Sequence, residues 1–120
     1  MLEHVTQAKH NEIFASSFDI SSTPYRDWII TGLFYSAVHY IEAALDKFGK
    51  HSQIHSQRNT FMQTHLKNND IFDDHRDLYE FSRNARYNCK IMTEDDIQEC
   101  KDTLNDLKQK IRHYVAPVII

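Results

Sequence analysis

The chain is short of glycine and proline, with two of each in 120 residues. A loop that cradles phosphate on successive backbone N–H groups needs several glycines, so neither a Walker-type nor a dinucleotide-binding loop fits here. Tight hairpins draw on the same two residue types, and their scarcity argues against an all-β fold. Cysteine is also scarce. Cys89 and Cys100 lie far from any C-x-x-C spacing, and two cysteines in a chain of this size read as reduced thiols rather than a disulfide scaffold. Positive charge is missing as well: the formal net charge is -3 with histidine neutral. Proteins that hold long nucleic acid by counterion release are strongly basic, so any contact with nucleic acid here must use a local patch. Eight histidines move the balance toward zero or above near pH 6.

Long apolar runs are absent too. The nearest to one, "WIITGLFYSAVHYIEAAL", is interrupted by Thr31, Ser36, His39 and Glu42, which suits a core helix and not a membrane span. The N-terminal "MLEHVTQAKHNE" has no apolar core of the kind a signal peptide carries, so a cytoplasmic protein is expected. Neither His-Glu-x-x-His nor a repeated Glu-x-x-His occurs. The acidic "DDH" at residues 73–75 reads as a lone cluster in an exposed turn. No motif calls for a metal or a cofactor.

The residues present favour helix, in one domain spanning residues 1–120 without linker or repeat. A first helix is expected over residues 2–18, with Val5, Ala8, Ile13, Phe14 and Phe18 on one side. A second begins with Thr23 as N-cap and Pro24 at the first helical position, runs to Phe48 and stops at Gly49. Ile30, Leu33, Phe34, Ala37, Ile41, Ala44, Leu45 and Phe48 follow helical spacing along it. A third helix spans Ser56 to Lys67, "KNND" breaks it, and a fourth spans Ile71 to Arg86. Thr93 caps a fifth, whose first turn carries Glu94, Asp95 and Asp96. Its apolar stripe is Ile97, Cys100, Leu104, Leu107, Ile111 and Tyr114. Helices with one apolar face each must pack together, so the expected fold is an all-α, antiparallel up-and-down bundle of about five helices around one long central helix.

Three groups of residues carry the chemistry. "HSQRNTFMQTH" holds Arg58, Asn59 and His65, with His55 one turn before Asn59. An Arg can clamp a phosphate and a neutral His can take a hydroxyl proton. Seven residues place Arg58 and His65 on one helix face, yet about 10 Å apart along the axis. With eight histidines in 120 residues, about one Arg–His pair at such spacing arises from composition alone. "SRNARY" supplies Arg83, Arg86 and Tyr87, cations beside an aromatic ring that suit phosphate contact and base stacking. Arg86 could equally pair with Asp27 or Glu42. Asp27, Tyr35, His39 and Glu42 form a polar set on the central helix, with His39 and Glu42 close enough for a hydrogen bond.

The ordered set "DWIITGLFYSAVHYIEAAL", "HSQRN" and "YEFSRNARY" resembles the HEPN domain (higher eukaryotes and prokaryotes nucleotide-binding) over roughly residues 5–115. The resemblance implies a helical bundle, usually a symmetric homodimer, acting in antiphage defence or toxin–antitoxin pairs, commonly beside a nucleotidyltransferase. Many members are metal-independent endoribonucleases whose motif is Arg, a polar residue directly after it, and His following after four to six residues. Arg58, Asn59 and His65 match that pattern as catalytic residues. Arg86 matches the motif's position better, but Ile91, Met92 and Thr93 stand where its His belongs. His55, Asn59, Arg83, Arg86 and Tyr87 are the expected contacts to RNA or nucleotide, and Asp27, Tyr35, His39 and Glu42 the supporting polar cluster. The alternative from another class is a non-catalytic dimeric helical module that docks a partner protein.

Overall fold

Local signals start the last helix and stop the second. In the computed structural model of the chain, which describes residues 1–66 and 69–120, the helices are α1 (Leu2–Ser16), α2 (Arg26–Asp46), α3 (His55–His65), α4 (Asn69–Arg86) and α5 (Glu94–Val115). Thr93 caps α5 as its sequence suggests. Its hydroxyl accepts from the Asp96 N–H, and the Asp96 carboxylate accepts from the Thr93 N–H. At the end of α2, Gly49 sits at φ +67°. Its N–H donates to Asp46 O, and Lys50 N–H donates to Leu45 O. This paired arrangement satisfies carbonyls that the helix end leaves open, and a left-handed residue completes it.

The start of α2 differs from expectation. Thr23 does not cap it and Pro24 is not its first residue: the helix opens at Arg26, with Tyr25 in the cap position. The Thr23 N–H is already drawn to Asp19 O, and its hydroxyl accepts from the Tyr25 N–H in a separate small turn. Arg26 reaches back to Ile20 O and Ser21 O and across to Glu94, fastening this turn to the start of α5. The predicted end of α3 at Lys67 lies outside the described residues.

The central helix is buried on nearly every side. Ile29, Ile30, Leu33, Phe34, Ala37, Val38, Tyr40, Ile41, Ala43, Ala44 and Leu45 all lie in the core, as expected of a helix apolar around its circumference. Contacts fix the chain directions. The N-terminal amine meets Asp46 while Ala15 lies near Gly32, so α1 runs antiparallel to α2. Asp27 lies by Arg86, where both line one groove, while Phe34 packs on His75, so α4 is antiparallel as well. Arg26 pairs with Glu94, and Lys47 lies over Tyr114, so α5 runs with α2. The four long helices thus alternate up and down, and short α3 lies against α2 and α4.

Two apolar stripes are corrected by the packing. On α1, Val5, Ala8 and Ala15 are buried, whereas Ile13 is 71% exposed and Phe14 43%. The small residues win because they let the α1 backbone approach closely enough for the Ser36 hydroxyl to donate to Ala8 O at 2.8 Å. On α5 the stripe closes with buried Val115; Tyr114 stays half-buried, 5.8 Å from the Phe48 ring. The "DDH" turn is not a turn. Asp73, Asp74 and His75 sit inside α4, where Asp73 pairs with Arg76, Asp74 with Lys110, and His75 is 1% exposed. Cys89 and Cys100 are both free thiols, and burial pushes the Cys100 thiol up to about 12.

Replacing Gly49 tests the helix stop in isolation, because a Cβ there meets nothing within 4 Å. Gly49→Ala is expected to lower stability by about 1 kcal/mol, read as a lower urea midpoint with an unchanged m-value.

Candidate functional site

The site residues named from sequence fall into two groups at different levels of α2. The first lies between α2, α3 and α4. Glu42 projects from the buried side of α2 at 4% exposed, and a carboxylate there needs a partner. Arg58 of α3 supplies it, with Nε donating to Oε1 at 2.9 Å, and the Ser52 N–H donates to Oε2 at 3.3 Å. One buried carboxylate thereby holds both the loop after α2 and the helix that follows.

Beside this pair the His55 ring stacks on Tyr79 at 4.4 Å and on His75 at 5.3 Å. His75 also packs on Phe34. Burial, then His55 and then Arg58, push the His75 pKa down to about 3. Burial and the Arg58 charge lower His55 too. Both rings are therefore neutral near pH 7. His75 Nε2, Asn59 Oδ1 and Ser52 Oγ are buried with no protein partner among the described residues.

Arg58 and His65 are not brought together. Arg58 turns to Glu42, while the His65 ring stacks on Phe48 at 5.2 Å and lies 6.5 Å from Phe61. Their separation of two helical turns, about 10 Å, is not closed by side-chain orientation. His39 and Glu42 do not form a pair either. His39 Nδ1 instead lies 3.1 Å from His4 Nδ1, one ring nitrogen donating and the other accepting, and burial followed by the His4 charge lowers the His39 pKa. The polar set read from the central helix is thus split between three neighbouring elements.

The second group lies where the C-terminal end of α4 meets the N-terminal half of α2. Arg86 Nη1 donates to the Tyr35 hydroxyl at 2.9 Å, and Nε to Ser82 O at 3.4 Å. Its guanidinium carbon is 4.9 Å from the Tyr87 ring centre, 5.5 Å from Tyr35 and 5.8 Å from Phe34. A cation among three rings is held without a carboxylate. Asp27 and Glu42, the expected carboxylate partners, make no ion pair with Arg86 among the described residues. Arg83 donates to the Tyr79 hydroxyl at 3.4 Å, connecting this end of α4 to the His55 stack.

Around Arg86 the surface forms two adjoining grooves. One, of about 300 Å³, is lined by Asp27, Trp28, Thr31, Ala85, Arg86 and Tyr87. The other, of about 530 Å³, shares Asp27, Ala85 and Arg86 and adds Arg26 and Lys90. Trp28 is 53% exposed and Tyr87 69%. Sequence reading passed over Trp28 and Lys90. The available signal was spacing: Trp28 and Tyr35, seven apart, share a helix face with Thr31 between them, and Asp27 directly precedes Trp28.

Among the described residues, no three His, Cys, Asp or Glu side chains gather as a metal-ligand set, and no helix is long and apolar enough to cross a membrane. Comparison of the chain with protein-family models, with curated proteins and with solved structures finds no match.

The buried His75 generates a pH prediction. Its unfolded-state pKa is the ordinary 6.5 and its folded-state value about 3. The unfolded chain therefore binds the extra proton first. Stability is fully present above pH 6.5 and falls as pH drops toward 3, with a slope approaching about 1.4 kcal/mol per pH unit from this group. The lowered pKa values of His55 and His39 act in the same direction. Urea unfolding between pH 7 and pH 4 is expected to show this loss. His75→Leu is expected to shift the absolute stability and flatten the slope.

Proposed function

We propose that the protein is a HEPN-like helical bundle that engages RNA or nucleotide through the Arg86 grooves. The observation that carries this reading is the guanidinium of Arg86, held by Tyr35 and its own ring contacts at the junction of two grooves beside exposed Trp28 and Tyr87. Exposed rings next to a positioned cation provide base stacking and phosphate contact together. The arrangement does so locally, as a chain of net charge -3 requires. In this reading Arg58 is a fold residue, committed to Glu42, and passive binding describes the protein better than Arg58–His65 ribonuclease chemistry. A homodimer, a cytoplasmic role in defence or a toxin–antitoxin pair, and a nucleotidyltransferase partner belong to the same proposal. They rest on the resemblance of "HSQRN" and "YEFSRNARY" to the family.

A second reading keeps the chain as a non-catalytic module that docks a partner protein. The exposed Trp28, Tyr87 and Ile91 along the two adjoining grooves favour it, since clustered apolar side chains mark interaction surfaces.

Fluorescence anisotropy with a labelled single-stranded RNA separates the two. RNA engagement is expected to weaken as salt rises and to fall about tenfold or more in Arg86→Ala and Tyr87→Ala. Salt-independent capture of protein, with no RNA binding, would instead establish the docking module.

The role of Arg58 has its own test. Arg58→Ala leaves Glu42 buried and unpaired and is expected to destabilise the fold by about 3 kcal/mol. His65→Ala is expected to be mild. RNA incubated with the wild type in EDTA is expected to stay intact. Cleavage abolished by both substitutions, in variants shown by circular dichroism to be folded, would assign catalysis to Arg58 and His65 and overturn the passive reading.

A further inference from the structure

Resting on the reading that this surface takes RNA or nucleotide, we infer that the Arg86 grooves select guanine. The proposed ligand is a guanosine 5′-phosphate unit, with its base in the groove of Asp27, Trp28 and Thr31 and its phosphate toward Arg86 and Lys90.

The smaller groove offers acceptors. The Asp27 carboxylate lines it, half-buried, and makes no hydrogen bond or ion pair among the described residues. An ionised carboxylate only accepts. Thr31 lines it too, but its hydroxyl proton is spent on Asp27 O at 2.8 Å, so its oxygen is left with acceptor capacity. Beside them, Trp28 and Tyr87 supply ring surface for stacking.

Four bases meet this edge differently. Guanine carries two adjacent donors, N1–H and the N2 amino group, which match the two oxygens of one carboxylate. Adenine places its amino donor beside the acceptor N1, and cytosine places its own beside the acceptor N3. Uracil has a single N3–H between two carbonyl oxygens. In each of these three, one carboxylate oxygen faces a lone pair, and a half-buried acceptor turned from water onto an acceptor is disfavoured. Site groups that must be paired by the ligand reject analogues lacking the partner.

The larger groove offers cations. Arg26 is occupied by Ile20 O, Ser21 O and Glu94. Lys90 is exposed and lines the groove, and Arg86 belongs to both compartments. A phosphate bound there reads no sequence, so selection falls to Asp27.

The experiment is calorimetric titration of the full chain with the 5′-monophosphates of guanosine, adenosine, cytidine and uridine, and with short single-stranded oligomers of guanosine-containing and adenosine-only sequence. The guanine ligand is expected to bind about tenfold tighter than its counterparts. Asp27→Asn, which keeps the side-chain shape, is expected to bring that preference to within about twofold. Lys90→Ala is expected to weaken all ligands alike and keep the preference. The ratio of affinities within one variant is independent of how much of it is folded. If the preference appears with the mononucleotide, the free nucleotide is the ligand; if only with the oligomer, the ligand is a strand. RNA binding without base preference, or a preference untouched by Asp27→Asn, overturns guanine selection and leaves the proposed function standing. No binding of any nucleotide or oligomer overturns both.

Discussion

Helix α2 has to be surrounded, and the rest of the molecule follows from that constraint. From Ile29 to Leu45 most of its residues are buried, so it cannot sit at the surface of a two-layer packing. Three long helices and a short one enclose it. The polar side chains that remain on this helix then each need a partner from a neighbour. Ser36 takes Ala8 O, Tyr40 donates to Glu12, His39 meets His4, and Glu42 takes Arg58. Glu12 is itself held by Lys108 at 3.0 Å, so α1, α2 and α5 share one partly buried polar chain. Apolar packing favours enclosure in general. These pairs restrict which registers of α1, α3 and α5 leave no buried charge alone.

The two ends of α2 are treated differently. Toward its C-terminus, Glu42 and Asp46 are sealed by Arg58, the N-terminal amine and His51. Toward its N-terminus the helix surfaces, exposing Trp28 and Tyr35 between α1 and the end of α4. At that open end the Asp27 carboxylate makes no hydrogen bond or ion pair among the described residues, and Arg86 makes no ion pair. Arg86 and Asp27 are held close to one another's grooves without neutralising one another. The arginine of the sealed end has its charge neutralised within the fold, and that contrast is why the grooves, and not Arg58, carry the functional proposal.

Legibility from sequence follows the range of the interaction. The Thr93 cap of α5 and the stop at Gly49 are local, and both are found where the sequence places them. The apolar period of α2 likewise identified the central helix. Failures came where a residue was judged by its immediate neighbours. His75 follows two aspartates and looked exposed, yet it lies on the stripe Ile71, His75, Leu78 and Ser82, whose helical spacing turns it into the core. Ile13 and Phe14 looked like core and were displaced by smaller residues that pack backbones closer. The match of Arg58 and His65 to a motif was one of spacing, and spacing says nothing about which neighbour each side chain finds.

By itself, the sequence determined the helices, the cap of α5, the stop after α2, the central position of α2 and the absence of loops that could cradle phosphate, because these depend on contacts within a few residues or on composition. Only the tertiary structure decided which arginine is neutralised and which stays available. Arg58 lies within reach of a carboxylate that the core cannot leave unpaired, whereas Arg86 lies among rings that hold a cation without discharging it. That difference is made by helices distant in sequence meeting around α2, and no spacing along the chain encodes it.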